Sequence, residues 1–142
     1  MTDEFLIQET LNTYSQAASR GDWDRVMTTF TPTAVWEIPH LKARFEGHEA
    51  LRGALTHLAS VMEYVLQLNT PALIKVDGDT ATASSGIREC GKFTGRDVAF
   101  EFLGIYVDDL VRTADGWKFT RRVFDHIGTN NYPLLPAQPA EL

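Results

Sequence analysis

Cysteine is almost missing from this chain of 142 residues, which contains only Cys90. No disulfide can therefore form within the chain, and we expect a reducing, cytoplasmic location. Long apolar runs are missing as well, since none approaches the ~18–20 residues that cross a bilayer. The first ten residues carry acids but no Lys or Arg, unlike a signal peptide. We expect no membrane partner.

Basic residues are scarce: 13 Lys and Arg stand against 19 Asp and Glu, which gives a net charge of −6. An acidic chain is a poor nucleic-acid binder, because phosphate contacts need a basic surface. The sequence has no glycine-rich phosphate loop and no His, Cys, Asp and Glu set with metal-ligand spacing. We therefore predict no nucleic-acid partner, no cofactor and no metal.

Hydrophobic residues are plentiful, at 44% of the chain, and the length fits one domain at ~150 residues per domain. Apolar residues recur first with helical spacing and later with a period of two. The predicted helices cover 2–20, 23–30 and 48–62, and the predicted strands cover 34–38, 64–76, 79–93, 97–113 and 117–127, with a loop at 40–47. The last ten residues, 133–142, contain three prolines and are predicted to form a tail that either covers something or is mobile.

This order of elements predicts an α+β fold. We expect one cone-shaped domain over residues 1–132, in which three N-terminal helices pack on a strongly curved, mostly antiparallel sheet. Such a sheet encloses an apolar cavity, which is the default position for a ligand site. A small hydrophobic ligand is the expected partner.

Three motifs resemble a known family: GDWDR at 21–25, DGDTATA at 77–83, and YVDDLVRTADGWKF at 106–119. In this order they are similar to the SnoaL-like branch of the nuclear transport factor 2-like superfamily, over residues 5 to about 128. The resemblance implies the cone-shaped fold and a homodimer formed through the outer face of the sheet. The superfamily includes ketosteroid isomerase, scytalone dehydratase, a dehydrochlorinase and non-catalytic binders, so the resemblance does not fix the reaction.

The dehydratase and dehydrochlorinase relatives use an Asp and a His as a catalytic pair. By resemblance, those positions fall at Ser19 and at Leu66, or at Gln67 if the register shifts by one. None of these residues is a general base near neutral pH. We therefore predict neither dehydration of scytalone-like substrates nor dehydrochlorination.

The comparison with ketosteroid isomerase implies two hydrogen-bond donors, because its oxyanion-hole Tyr and protonated Asp match Tyr14 and Asp108. Its base position holds Ile38. We take Tyr14 and Asp108 as the candidate catalytic pair at a reacting oxygen, with His40 or Glu89 as the base. Alternatively, Tyr14 only closes the core by bonding Asp108 or a backbone carbonyl, and Glu89 is solvated at the strand end.

Strand alternation and helix faces supply the candidate ligand-binding residues. They are Trp23, Phe30, Trp36, Ile38, Leu66, Tyr106, Leu110, Arg112, Phe119, Arg121, Val123 and Asp125. The charged members either hold a polar substrate group or form ion pairs that are purely structural.

The leading functional prediction is a cofactor-independent isomerase, lyase or cyclase that moves a proton on a small hydrophobic molecule, which would be polycyclic, steroid-like or aromatic. The alternative is a non-catalytic small-molecule-binding protein, or an assembly subunit, of the same fold.

Overall fold

Three helices lie at the start of the chain in the computed structural model, which describes residues 1–136. They are α1 (Asp3–Arg20), α2 (Trp23–Thr28) and α3 (His48–Ser60). The Thr2 side chain caps α1 by accepting a hydrogen bond from the Phe5 N–H, and Gly21 ends this helix in the left-handed region with φ 69°. The three predicted helices are thus present, with the second and third ending two residues earlier than expected.

The seven strands form one sheet, with the order β2-β1-β7-β6-β5-β3 and β4 paired to β5. Only the β1–β7 pair is parallel among these pairs; the others are antiparallel. The strands are β1 (Phe30–Ile38), β2 (Ala43–Glu46), β3 (Met62–Asn69), β4 (Leu73–Asp77), β5 (Thr80–Phe93), β6 (Val98–Thr113) and β7 (Gly116–Pro133). The helices pack on the concave face, which confirms the predicted α+β architecture.

Two strand predictions were wrong. The segment predicted as one strand over 64–76 is divided into β3 and β4, because Pro71 has no N–H to donate to a ladder. The predicted loop at 40–47 contains a short 3₁₀ turn at Pro39–Leu41 and the added strand β2, which pairs with β1.

Strand β7 carries two bulges where it pairs with β6. Asp109 pairs with Arg121 and Leu110 with Phe119, so Thr120 is an extra residue; Ile127 is the extra residue of the second bulge. A bulge reverses which side chains face the core from that point on. Phe119 is therefore buried before the first bulge, and Arg122 and Phe124 are buried after it.

The predicted tail begins inside the sheet. Pro133 pairs with Val98, and the Leu134 N–H donates to the Asp97 carbonyl at 2.9 Å. The remainder of the predicted tail from residue 137 lies outside the described residues. Within residues 1–136, no helix is long and apolar enough to cross a membrane.

Gly91 of β5 lies too close to β3 and to the Phe100 ring to carry a side chain. A Cβ at this position would overlap the carbonyl oxygen of Tyr64 and lie 2.8 Å from the Phe100 ring. Because a backbone atom of a paired strand cannot move aside without breaking the ladder, we expect Gly91→Ala to cost about 1–3 kcal/mol or more of unfolding free energy. Gly53→Ala is the matched control, since a Cβ in α3 meets nothing within 4 Å and alanine favours the helix. Urea unfolding of both variants measures the difference, and equal stabilities would contradict this packing.

Candidate functional site

A cavity of about 210 Å³ lies between the helices and the concave face of the sheet. Its walls are mainly apolar and aromatic; they include Trp23, Trp36, Ile38, Leu55, Val65, Phe102 and Phe124. The cavity reaches the surface beside Leu41 and Val61, which also line it and are 61% and 45% exposed. The site therefore has the form in which proteins bind small molecules: a concave, mainly apolar pocket with a few polar groups in its wall.

Glu89 of β5 is the acidic group of the cavity wall. The Gln67 side chain of β3 donates a hydrogen bond to its carboxylate at 2.7 Å, and Gln67 also lines the cavity. Burial raises the pKa of Glu89 above its ordinary value of 4.5, although the Gln67 hydrogen bond opposes the shift. A carboxylate in such surroundings is a stronger base than one in water, so it is suited to taking a proton from a bound molecule.

Two tyrosines form a second polar feature of the wall. The hydroxyl oxygens of Tyr14, from α1, and Tyr106, from β6, lie 3.4 Å apart, and both residues line the cavity. Burial raises the pKa of each phenol. Both hydroxyls therefore stay protonated at neutral pH and can donate hydrogen bonds.

Arg122 and Asp108 form a fully buried ion pair, with 3.0 Å between Arg122 Nε and Asp108 Oδ1. The guanidinium carbon lies 4.2 Å from the ring centre of Tyr14, 3.8 Å from that of Tyr106 and 4.4 Å from that of Phe119. Burial raises the pKa of Asp108 to about 6 although Arg122 opposes the shift, so the carboxylate remains ionised at neutral pH.

His40 lines the cavity, and its ring stacks on that of His126 with 4.0 Å between the ring centres. Burial and the neighbouring His126 both lower the pKa of His40. The His40 imidazole is therefore neutral at physiological pH and adds no positive charge to the cavity.

Three of the four predicted catalytic residues line the cavity: Tyr14, His40 and Glu89. The placement of Asp108 was wrong. It faces the core as expected, but it pairs with Arg122 and does not line the cavity, so it cannot touch a bound ligand directly. Tyr106 occupies the place beside Tyr14 that the sequence interpretation gave to Asp108.

Four of the predicted ligand-binding residues line the cavity: Trp23, Trp36, Ile38 and Tyr106. Phe30, Leu110 and Phe119 are instead buried in the packed core away from it. Leu66 is 50% exposed on the outer face of the sheet, while the neighbouring Gln67 faces inward. Of the two residues considered for this position, Gln67 and not Leu66 therefore faces the cavity, which is the alternative register shifted by one residue.

The four remaining predicted ligand-binding residues lie on β6 and β7 and do not line the cavity. The Thr120 bulge places Arg121, Val123 and Asp125 on the outer side, where Arg121 bonds Glu37 at 3.2 Å. At the end of β6, Arg112 bonds Asp3 and Asp79 near the surface. Both arginines thus have the structural role that was the alternative to ligand binding.

Several residues in or beside the cavity were not among the predicted site residues: the polar Gln67 and Arg122, and apolar wall residues such as Leu55, Phe102 and Phe124. The inward position of Gln67 follows from the period of two once the strand is correctly registered. The period of two could not place Arg122 in the core, because it assumes a regular strand and the Thr120 bulge comes before Arg122 in β7.

A family model described as a SnoaL-like domain matches residues 1–123. An uncharacterized protein of Mycobacterium tuberculosis is 29% identical over 124 residues, which are 87% of this chain and 84% of the relative.

Solved structures share the fold. A Novosphingobium aromaticivorans protein assigned provisionally as an aromatic ring hydroxylase is 25% identical, with a TM-score of 0.85 over 92% of this chain and 93% of its own. A protein of the same organism assigned provisionally as a scytalone dehydratase is 21% identical, with a TM-score of 0.82 over 100% and 99%. These structures share the helices and the curved sheet described above, and because the family model covers residues 1–123, the chain belongs to the SnoaL-like domain family.

Proposed function

We propose that this protein is a cofactor-independent isomerase or lyase that transfers a proton on a small neutral molecule. The observation that carries the proposal is the position of Glu89, a carboxylate in the wall of a mainly apolar cavity that is held by Gln67 at 2.7 Å. An ionised acid in such a position is costly for stability. Proton abstraction is a function that uses the raised basicity which this position creates.

The proposed reaction begins at a carbon atom next to a carbonyl group. The Glu89 carboxylate takes the proton from this carbon, and the electron pair of the C–H bond moves into the carbonyl system to give an enolate. Tyr14 and Tyr106 donate hydrogen bonds to the oxygen that becomes negative. In an unsaturated ketone, the protonated Glu89 then returns the proton to the far carbon of the C=C bond conjugated with the enolate, which is an isomerisation. Where the neighbouring carbon carries a leaving group, the enolate electrons form a C=C bond, the group departs with its bonding pair and Glu89 protonates it, which is an elimination.

The size of the cavity limits the ligand. A dry cavity of about 150 Å³ holds one benzene ring, so the 210 Å³ available here suits a molecule of one or two rings. The acidic Glu89 disfavours anionic ligands, and the neutral His40 supplies no positive charge that would offset this effect. Within the predicted class of hydrophobic molecules, we propose neutral one- or two-ring ketones rather than four-ring steroids.

Solvent deuterium exchange tests the proposal without knowledge of the natural product. A panel of neutral ketones that includes indan-1-one is incubated with the protein in D₂O, and deuterium uptake next to the carbonyl is followed by NMR. We expect catalysed exchange for members of the panel. Ala59→Trp, which fills the cavity that Ala59 lines, is expected to abolish it while the protein stays folded. No catalysed exchange across the panel would count against the enzyme proposal.

The pH dependence follows from the raised pKa of Glu89. Exchange needs the ionised carboxylate, so the rate should be constant at high pH and should fall as the pH drops through the raised pKa, above the ordinary 4.5. The profile of kcat/KM for the free enzyme measures this value. A rate that rises towards low pH would contradict the role of Glu89 as a base.

A non-catalytic binding protein is the second candidate, and one observation favours it. Ser19, which resembles the position of the dehydratase Asp, uses its hydroxyl to bond the Ser15 carbonyl at 2.7 Å and the Gln67 N–H at 2.9 Å. This position is therefore structural. A ketone that binds in the cavity without exchange would support this second function.

We also propose that the protein is a cytoplasmic homodimer formed through the outer face of the sheet. Leu66 and Leu68 are successive outward-facing residues of β3, each close to half exposed, and exposed apolar patches mark interaction surfaces. Sedimentation velocity should give the mass of a dimer, and Leu66→Lys should give that of a monomer. A monomeric wild type would refute the dimer.

A further inference from the structure

The buried Arg122–Asp108 pair is costly to form, because two charges leave water for a low-dielectric interior. Both side chains have no exposed surface. Replacement of such a pair by apolar residues of similar volume is often neutral or even stabilising. The pair therefore calls for a role beyond packing.

Its position suggests that role. Tyr14 and Tyr106 contact the guanidinium with their ring faces and also line the cavity. One aromatic ring thus separates the positive charge from the space in which a ligand binds. Because Arg122, Tyr14 and Tyr106 are all buried, the charge lies in a low-dielectric interior and its field at the cavity is weakly screened.

The guanidinium also restrains the two phenols. Its carbon lies 4.2 Å from the ring centre of Tyr14 and 3.8 Å from that of Tyr106, while the two rings meet edge to face at 5.9 Å. Cation–π contacts of this kind favour one ring orientation over others. In that orientation the two hydroxyls lie 3.4 Å apart and can serve the same ligand oxygen.

We infer that Arg122 is a positioning residue: it orients Tyr14 and Tyr106 and supplies a positive potential that favours negative charge on a ligand oxygen in the cavity, while Asp108 sets the strength of that potential. The inference rests on the proposed function, since that reaction places negative charge on the ligand oxygen. The charge of Arg122 lowers the pKa of both tyrosines against the effect of burial, which agrees with a potential of this sign.

The probe for the test is 4-nitrophenol, because its neutral and ionised forms differ in visible absorbance. The experiment uses a Glu89→Gln background, which removes the other charge of the cavity wall and any turnover. The measured quantity is the pKa of the bound phenol. This readout does not depend on catalysis, so the inference and the proposed function can fail separately.

Two changes should act in opposite directions. Replacing the pair by Arg122→Met with Asp108→Leu should make ionisation of the bound phenol about tenfold less favourable, because the positive charge is lost. Asp108→Asn, which leaves Arg122 charged and unneutralised, should make ionisation more favourable by a similar factor. A pair that only packs the core would shift neither value.

Equal phenol pKa values in all three proteins would overturn the inference, as would a failure of 4-nitrophenol to bind in the Glu89→Gln background. The second outcome would also count against the cavity as the ligand site. If the double variant does not fold, Asp108→Asn decides alone, and an unchanged or weakened ionisation overturns the inference.

Discussion

Glu89→Gln is expected to reduce the rate of ketone deuterium exchange by about 10²–10⁴, the usual contribution of a positioned general base. Glutamine has the same shape and keeps an oxygen that can accept the hydrogen bond from Gln67, but it cannot take the proton. The first-order exchange rate at saturating ketone measures the effect. Binding of the ketone should change much less than the rate, because the interaction is made in the transition state.

Glu101→Gln is the matched control. Glu101 is also a poorly exposed carboxylate, but it lies on the outer face of the sheet, where it accepts hydrogen bonds from Arg88 and Asn130. Its substitution should leave exchange unchanged even where it lowers stability. Exchange that survives Glu89→Gln but is lost on His40→Gln would identify His40 as the base instead.

Arg122→Met is expected to cost about 3–5 kcal/mol of unfolding free energy, because it leaves the fully buried Asp108 carboxylate without its partner. Addition of Asp108→Leu should restore most of this loss, since both charges are then removed together. Urea unfolding at pH 7 of the wild type, the single variants and the double variant forms a double-mutant cycle.

The size of the coupling is the decisive quantity of that cycle. Additive losses from Arg122→Met and Asp108→Leu would show that the pair contributes little as a pair, and the 3.0 Å contact would then have no energetic meaning. Arg121→Met is the matched control, because Arg121 bonds Glu37 at a half-exposed position and surface pairs contribute only about 0–1 kcal/mol.

Much of the fold could be predicted from local signals. The capping residue Thr2, the terminal Gly21 and the helical spacing of apolar residues are sufficient to define α1. The period of two identified the long strands β5 and β6, and the Asp77-Gly78 turn marked the end of β4. These features depend on neighbours within a few residues along the chain, which is why the sequence reveals them.

The site was harder to predict, because it depends on register between distant strands. Glu89 and Gln67 meet because β3 pairs with β5 in one register, and a shift of one residue would bring Leu66 inward instead. The Thr120 bulge likewise moved Arg122 into the core and Arg121 out of it. Each strand alone shows a regular alternation of apolar and polar residues, so neither the β3–β5 register nor the Thr120 bulge can be predicted from one segment of sequence.

The most direct test is a structure of the protein with indan-1-one bound. We expect the ketone inside the cavity, with the carbon next to its carbonyl about 3–3.5 Å from a Glu89 oxygen and its carbonyl oxygen within hydrogen-bond distance of the Tyr14 or Tyr106 hydroxyl. A ketone bound with this carbon turned away from Glu89, or bound outside the cavity, would contradict the proposed proton transfer.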